Sequence, residues 1–474
     1  MSTRRHVLVG GAGLAASTVA LGFNALLPSR GQAVDRPPNV VVITADDLGY
    51  GELGAYGQRT MRTPRLDRLC AEGLRFTQAY SAAPVCAPSR CSLLTGLHSG
   101  HSAVRHNPSN GRQDALDPDQ PTFAEVLRAR GYRTACVGKW GFGGEAADDP
   151  SRPNARGFDE FYGYVTHRHA RDHMPDHLWH DDVRRPVEPG SYAPDLFEER
   201  ALDFLRRQVT ARRRFLLYLS PSLPHAPSAV PPAEAAASAY RDRPWSPADR
   251  AHATQIARLD RMVGAVTDEL RRLGVHRDTL VLFTSDNGPH EEDGTDPDLF
   301  DANGPLRGYK RNLYEGGIRV PLVAWRPGTV VGGTVSQRVT PLIDVLPTLA
   351  ELAGGRTPKG IDGRSAAALL GAHGEAAEHD HLYWFRGGSS ATPRANAVDA
   401  GRAGQLAEAV RRGDWKAVRF APGRDRRVPD ERWALELYDL AADPGETTDV
   451  AARHPAVVAE LTGLMRACWT DVAR

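Results

Sequence analysis

Four short apolar runs, each closing on polar or charged residues, constrain the fold of this chain more than any other feature. They are Asn39–Thr44, Arg133–Val137, Phe215–Ser220 and Thr279–Thr284. Continuous apolar runs rich in β-branched residues suit strands buried on both faces, the condition of a parallel sheet. Helical patterns fill the gaps. Asp67–Leu74 reads as a short helix, and Pro121–Arg130 opens at a proline and stops at Gly131. Pro194–Val209 is amphipathic, and Asp344–Leu352 reads as a further helix. Ile256, Leu259, Val263, Val266, Leu270 and Leu273 recur at steps of three and four, a core-facing stripe ended by Gly274. Strands alternating with helices, with polar residues at the strand ends, predict a doubly wound, mostly parallel α/β sheet over 34–371. After Gly371 the character changes. Short strand candidates at His381–Phe385, Trp415–Phe420 and Leu435–Leu440, then a helix at Pro455–Val472, predict a smaller C-terminal α+β subdomain over 372–474, an antiparallel sheet plus helix.

A chain of 474 residues suits two or three domains. The net charge of +1 gives no reason to expect nucleic acid or an acidic membrane surface as partner. Cys70, Cys86, Cys91, Cys136 and Cys468 are too sparse and odd in number for a disulfide framework. Arg4-Arg5 precede an uncharged run, Val7–Leu27, followed by Pro28 and Arg30. This predicts a twin-arginine signal peptide over 1–33, cleaved after Ala33, with the twin-arginine translocase as partner and a periplasmic or secreted product. A membrane anchor is the competing reading, since the run is long enough to span a bilayer. Its glycines and small-residue tail favour the signal.

The strand ends carry the chemistry. Asp46-Asp47 leave the first run, and adjacent carboxylates there are costly unless a cation neutralises them. Asp286-Asn287 leave the fourth run in the same way. Oxygen ligands point to a hard ion such as calcium or magnesium. An isolated Asp-Asp turn is ordinary; the strand in front and the second pair argue for metal. Pro224-His225-Ala226-Pro227 places a histidine at the third strand end, suited to general acid work. A helix predicted from Ser89 would turn its free N–H groups towards an anionic ester. His167, His169, His173, His177 and His180 crowd one loop-like segment. Zinc is one reading, but the spacing is irregular and lacks a paired cysteine or an H-E-x-x-H arrangement. Solvated loop histidines are the alternative, with His169 and His173 as candidate substrate contacts.

Cys86-Ala87-Pro88-Ser89-Arg90, continuing Cys91-Ser92-Leu93-Leu94-Thr95-Gly96, resembles the signature of the type I sulfatases, the formylglycine-dependent, arylsulfatase-like family. Taken alone, Cys86 would be a small buried hydrophobe. Other separated segments share the resemblance: Gly138-Lys139-Trp140, Gly157 to Tyr164, Lys310, Tyr314 to Pro321, Arg412 to Lys416 and Glu436 to Leu440. The resemblance implies an alkaline-phosphatase-like fold and a sulfuric ester hydrolase acting on a sulfated carbohydrate or aryl sulfate. It implies that a formylglycine-generating enzyme oxidises Cys86, and that the hydrated aldehyde attacks sulfur. Asp46, Asp47, Asp286, Asn287 and the modified Cys86 would bind calcium, ahead of magnesium; an unmodified thiolate would suit a softer metal. Arg90 would stabilise the modified residue, Lys139 and Lys310 would contact sulfate, and His225 would protonate the leaving alcohol. One position departs. The family pattern G-K-W-H-x-G has Gly141 here in place of a histidine that contacts the formylglycine hydroxyl, so the base for sulfate release passes to another histidine or to water. A phosphonate or phosphate diester hydrolase with the same modified residue, and a catalytically silent binding protein, remain as alternatives.

Overall fold

The computed structural model describes residues 36–108, 113–371, 375–388 and 392–471; the predicted signal peptide and its cleavage point lie outside them. Strands of the large sheet are β1 (Asn39–Ala45), β2 (Leu74–Tyr80), β3 (Arg133–Lys139), β4 (Glu160–Tyr164), β5 (His177–His180), β6 (Val183–Pro186), β7 (Phe215–Ser220), β8 (Thr279–Ser285), β9 (Arg319–Trp325), β10 (Thr334–Ser336) and β11 (Thr340–Pro341). Their order is β10-β2-β9-β8-β1-β7-β3-β4-β5-β6, with β11 beside β2. The middle five, β8-β1-β7-β3-β4, are parallel. β9 then runs antiparallel to both β8 and β2. The four apolar runs of the sequence are thus β1, β3, β7 and β8.

The helices that cover the sheet are α1 (Pro64–Glu72), α2 (Cys86–Thr95), α3 (Phe123–Ala129), α4 (Ala193–Thr210), α5 (Pro232–Ala237), α6 (Pro247–Arg272), α7 (Glu315–Ile318) and α8 (Val345–Leu352). Alternation along each central strand splits the core in two. Val41, Ile43, Leu217, Leu219, Val281 and Phe283 face α1, α4 and α6. Val40, Val42, Leu216, Tyr218, Leu280 and Leu282 face the side of α2, α3 and α8. The predicted stripe from Ile256 to Leu270 is buried in α6, with Leu273 at its C-cap. Several boundaries move, among them three helix starts. α1 begins at Pro64, ahead of Asp67. α3 begins at Phe123, because Thr122 caps it and Glu125 Oε2 accepts from the Thr122 N–H at 2.7 Å, a capping box. α2 begins at Cys86, three residues before Ser89, so residue 86 is the first helical position.

β12 (Leu382–Arg386), β13 (Ala407–Arg412), β14 (Trp415–Phe420) and β15 (Ala434–Asp439) form a separate antiparallel sheet in that order. α9 (Pro393–Val398) precedes β13, and α10 (Pro455–Ala467) packs on β13 and β14. The C-terminal helix therefore ends five residues before the predicted Val472. One face of this sheet shares a core with Tyr80, Leu313, Tyr314 and Ile318 of the large sheet's flank. A buried charge cluster reinforces the junction: Lys416 Nζ lies 3.0 Å from Glu315 and 2.9 Å from Glu446. Burial raises the Glu446 carboxyl to about 7, Lys416 opposing and the Glu315 charge adding to the rise. An acid raised in the folded state stabilises fully below its ordinary value of 4.5, and that stability is lost as pH rises towards about 7. Glu446→Gln should therefore flatten the fall in unfolding free energy between pH 4.5 and 7, read by urea denaturation at a series of pH values.

Candidate active site

The carboxyl ends of β1, β3, β7 and β8 meet over the N-terminus of α2. There the chain collects the polar groups that the strand-end motifs predicted. Asp46, Asp47, Cys86 and His225 each offer one ligand atom within 4.8 Å of the others. All four are buried. The Asp286 carboxylate joins through the backbone, accepting from the Asp47 N–H at 3.0 Å. Asn287 Nδ2 donates to Asp47 Oδ1 at 2.8 Å and to the Gly288 carbonyl at 2.9 Å. Its Oδ1 is buried and has no hydrogen-bond partner.

Three cations hold the carboxylates. Lys139 Nζ sits 2.8 Å from Asp46 Oδ2, and Lys310 Nζ sits 2.7 Å from Asp47 Oδ2. Arg90, one turn along α2 from Cys86, spans the strand ends. Its Nε donates to Asp286 at 2.7 Å, its Nη1 bonds Ser220 at the end of β7, and its Nη2 lies 3.4 Å from Asp46. Lys310 also pairs with Glu292 at 3.0 Å, which binds Arg311 at 2.7 Å and Arg171 at 3.0 Å. His225 Nε2 stands 3.4 Å from Lys310 Nζ and 3.6 Å from Asp47.

The electrostatics follow from burial and these pairs. Burial raises Asp46, yet Lys139, His225 and Arg90 hold it well below the usual carboxylate range. Burial likewise works against Asp47, but Lys310 and His225 bring it to about 2. Asp286 is pushed up by burial, Arg90 opposing and the Asp46 and Asp47 charges adding to the rise. A buried trio of carboxylates with an unpaired amide oxygen is a donor set that a hard cation fits, relieving repulsion among them. Burial also pushes the Cys86 thiol well up, so the unmodified side chain is a neutral thiol and a weak nucleophile. His225 is pushed down to about 3 by burial and then Lys310, so its imidazole is neutral. Burial opposes the Lys310 charge, but Asp47 outweighs it and the ammonium is retained.

The histidine-rich segment disperses. His169 stacks on His177 at 4.2 Å and meets the edge of Tyr164 at 4.7 Å. His173 is buried and accepts from Gln255 Nε2 at 3.0 Å. His180 Nε2 is 2.6 Å from Arg200. The polar partners of His173 and His180 lie outside the Cys86 cluster, and both ring nitrogens of His169 and the Nε2 of His173 are buried without a partner. His167 differs in its place: its Nε2, also buried and unpartnered, lies beside Gly141, two residues past Lys139. A further cluster, His98, His101 and Asp362, sits beyond α2, and the Nδ1 of each ring is engaged. His101 Nδ1 is 2.9 Å from Asp362, and the Gly100 N–H donates to His98 Nδ1 at 3.1 Å, which leaves the ring proton on Nε2. The five cysteines are free and buried.

Sequence reasoning did not single out Glu292, Ser220, or Asn107, whose Oδ1 accepts the Ala87 N–H at 2.9 Å at the start of α2. They reach the site through tertiary contact and carry no local motif. Glu292 lies five residues past Asn287, and that proximity was the one available signal.

The fold and cluster together fit an ester hydrolase class: an acidic cluster that a hard cation fits, with buried lysines paired to it, at the carboxyl edge of a parallel sheet. Comparison with known proteins narrows this. The sulfatase family profile matches residues 38–355, and the profile for the C-terminal part of N-sulphoglucosamine sulphohydrolase matches residues 308–467. The steryl-sulfatase of Mus musculus is 31% identical, over 95% of this chain and 85% of its own length. The N-acetylgalactosamine-6-sulfatase of Canis lupus familiaris is 32% identical, over 74% of this chain and 69% of its own. The solved structure of Ps i-CgsB in complex with k-i-k-neocarrahexaose superposes with a TM-score of 0.75 at 26% identity, covering 92% of this chain and 93% of that one. The chain belongs to the sulfatase family, a sulfuric ester hydrolase on the alkaline-phosphatase-like fold.

Proposed function

We propose that the protein cleaves sulfate monoesters of carbohydrates or aryl alcohols through an oxygen nucleophile on residue 86, made by oxidising Cys86 to formylglycine and hydrating the aldehyde. One observation carries this reading. A cysteine kept as a neutral thiol heads α2 inside a cage of three carboxylates and three cations, surroundings suited to an oxygen nucleophile and an anionic ester. Oxidation would need a formylglycine-generating enzyme. Calcium, ahead of magnesium, would be held by Asp46, Asp47, Asp286 and Asn287, because several carboxylates in a flexible oxygen set suit the larger ion. Bound there, it would draw charge from the ester's oxygens.

The chain's own residues do the rest. Lys139 and Lys310 remain charged and hold the sulfate oxygens, stabilising the transition state in a site closed to water. Arg90 fixes the ends of β1, β7 and β8 against the head of α2. Lys310 and the neutral His225, 3.4 Å apart, act as a pair that delivers a proton to the leaving alcohol. His225→Ala should cost about 10²–10⁴-fold in kcat on a sugar sulfate. It should cost far less on nitrophenyl sulfate, whose anion leaves without protonation; equal losses on both would remove His225 from that role.

The names of the relatives, steryl-sulfatase and N-acetylgalactosamine-6-sulfatase, and the k-i-k-neocarrahexaose complex of the solved structure support a sulfated alcohol without fixing which one. The twin-arginine pair supports export to the periplasm or beyond, testable by fusing residues 1–33 to a folded reporter. The deciding experiment is intact-protein mass for the aldehyde hydrate, followed by a panel of sulfated sugars, aryl sulfates and phosphate or phosphonate diesters. Preference for the diesters would reassign the substrate class. An aldehyde without any turnover would mark a binding protein.

A further inference from the structure

Release of sulfate from residue 86 needs a base, and the groups already described are committed. Asp46 and Asp47 are paired with lysines and Asp286 with Arg90, Lys139 and Arg90 hold their protons, and Lys310 with His225 serves the leaving alcohol. His225 faces Lys310. One of the buried, unpartnered ring nitrogens lies beside Gly141, two residues past Lys139. Trp140 and Gly141 extend beyond β3, and their N–H groups donate to the Tyr164 and Val165 carbonyls at 2.9 and 3.1 Å. That pairing lays the chain after β4 across Gly141. His167 follows two residues later, and its backbone N–H is anchored on Gln113 Oε1 at 2.6 Å.

The ring of His167 fills the space that a side chain at position 141 would need. A Cβ placed on Gly141 would lie 2.7 Å from His167 Nε2 and 3.0 Å from its Cδ2. Gly141 also has φ +94°, which disfavours any other residue. The two positions are therefore linked: the glycine makes the room, and an imidazole from the next loop takes it. His167 Nε2 is sealed from solvent and has no hydrogen-bond partner; burial, then Lys139, hold the ring well below its usual range, with Asp46 opposing, so the imidazole is neutral and its free nitrogen is open to a proton. A buried, unpartnered imidazole nitrogen at such a site needs a reason.

We propose that His167 is the catalytic base for sulfate release, taking the place of the histidine that Gly141 lacks. The proposal rests on the formylglycine reading. Once sulfate has been transferred to residue 86, its carbon carries one sulfated oxygen and one hydroxyl. His167 Nε2 takes the hydroxyl proton, and that oxygen's electron pair closes the C=O bond. The C–O bond to sulfate breaks, with its pair leaving on sulfate. Water then adds to the aldehyde for the next cycle, and the proton on His167 returns to solvent.

The experiment uses modified, calcium-loaded protein with nitrophenyl sulfate. In His167→Gln and His167→Ala, steady-state kcat should fall about 10²–10⁴-fold. Nitrophenol should still appear as a burst of about one equivalent per modified site. Acid-quenched protein should carry sulfate on the peptide containing residue 86, and added imidazole should speed turnover of the alanine variant. Gly141→Ala, whose methyl displaces the far end of a movable ring, should show the same burst, and the Gly141→Ala/His167→Ala pair should lose no more than either alone. Unchanged kcat, or a fall without burst or sulfated peptide, would overturn the proposal. Absence of aldehyde or of any sulfate ester cleavage in the unsubstituted protein would instead strike the underlying reading, since His167 would then have nothing to deprotonate.

Discussion

Cys86→Ser will release at most about one equivalent of alcohol and then stop, a loss of at least about 10⁴-fold in sustained turnover, the order seen when a nucleophile is removed. A serine oxygen can attack sulfur, but the resulting ester has no second hydroxyl on its carbon. It therefore has no internal route to expel sulfate. The substitution is nearly isosteric at a buried helical position, so folding should be little affected. The check is a stoichiometric assay of alcohol release, with mass measurement of the peptide spanning residue 86. A serine variant that turns over many equivalents would refute the two-hydroxyl chemistry.

Arg90→Met should give the largest loss of stability, about 3–5 kcal/mol, the range expected when one member of a buried ion pair is deleted. Arg90 is fully buried, and its fork binds Asp286, Ser220 and the vicinity of Asp46. Methionine keeps the bulk and removes all three links, leaving two buried carboxylates without that cation. Urea denaturation should show a lower midpoint with an unchanged slope. Calcium, held as proposed, should recover part of the loss, because an ion bound by the folded carboxylates and not by the unfolded chain would stabilise the fold. If the midpoint shifts by less than about 1 kcal/mol equivalent, typical of a surface pair, Arg90 does not tie the strand ends together.

The central strands were legible because burial on both faces writes itself as an unbroken apolar run; β7 matches Phe215–Ser220 end to end. Others were not, β2 and β4 among them, and two more show why. β9 contains Pro321, which argues against a strand when only sequence is in hand. β13 reads as polar, but Glu408 is buried and bound by Arg419 at 2.8 Å and Tyr383 at 2.8 Å, so its charges are satisfied across the sheet. The start of α2 was misplaced because Ser89 resembles a cap, whereas the helix opens after Val85 without a side-chain cap. In the site, residues on strand-end motifs were readable. His167 was visible only as one histidine among five, and its distinction arises from a glycine 26 positions earlier whose missing side chain leaves a hole.

The first residue of α2 is 1% exposed, and the carboxylates and imidazole that crowd it, Asp46, Asp47 and His225, come from distant parts of the chain. A second enzyme cannot grip that side chain once the sheet has closed over it. The proposed oxidation would thus have a deadline set by collapse: it would have to act on a nascent or unfolded polypeptide. Mature protein isolated with the thiol intact should resist conversion indefinitely, and yield to it only after being denatured and offered as a loose chain.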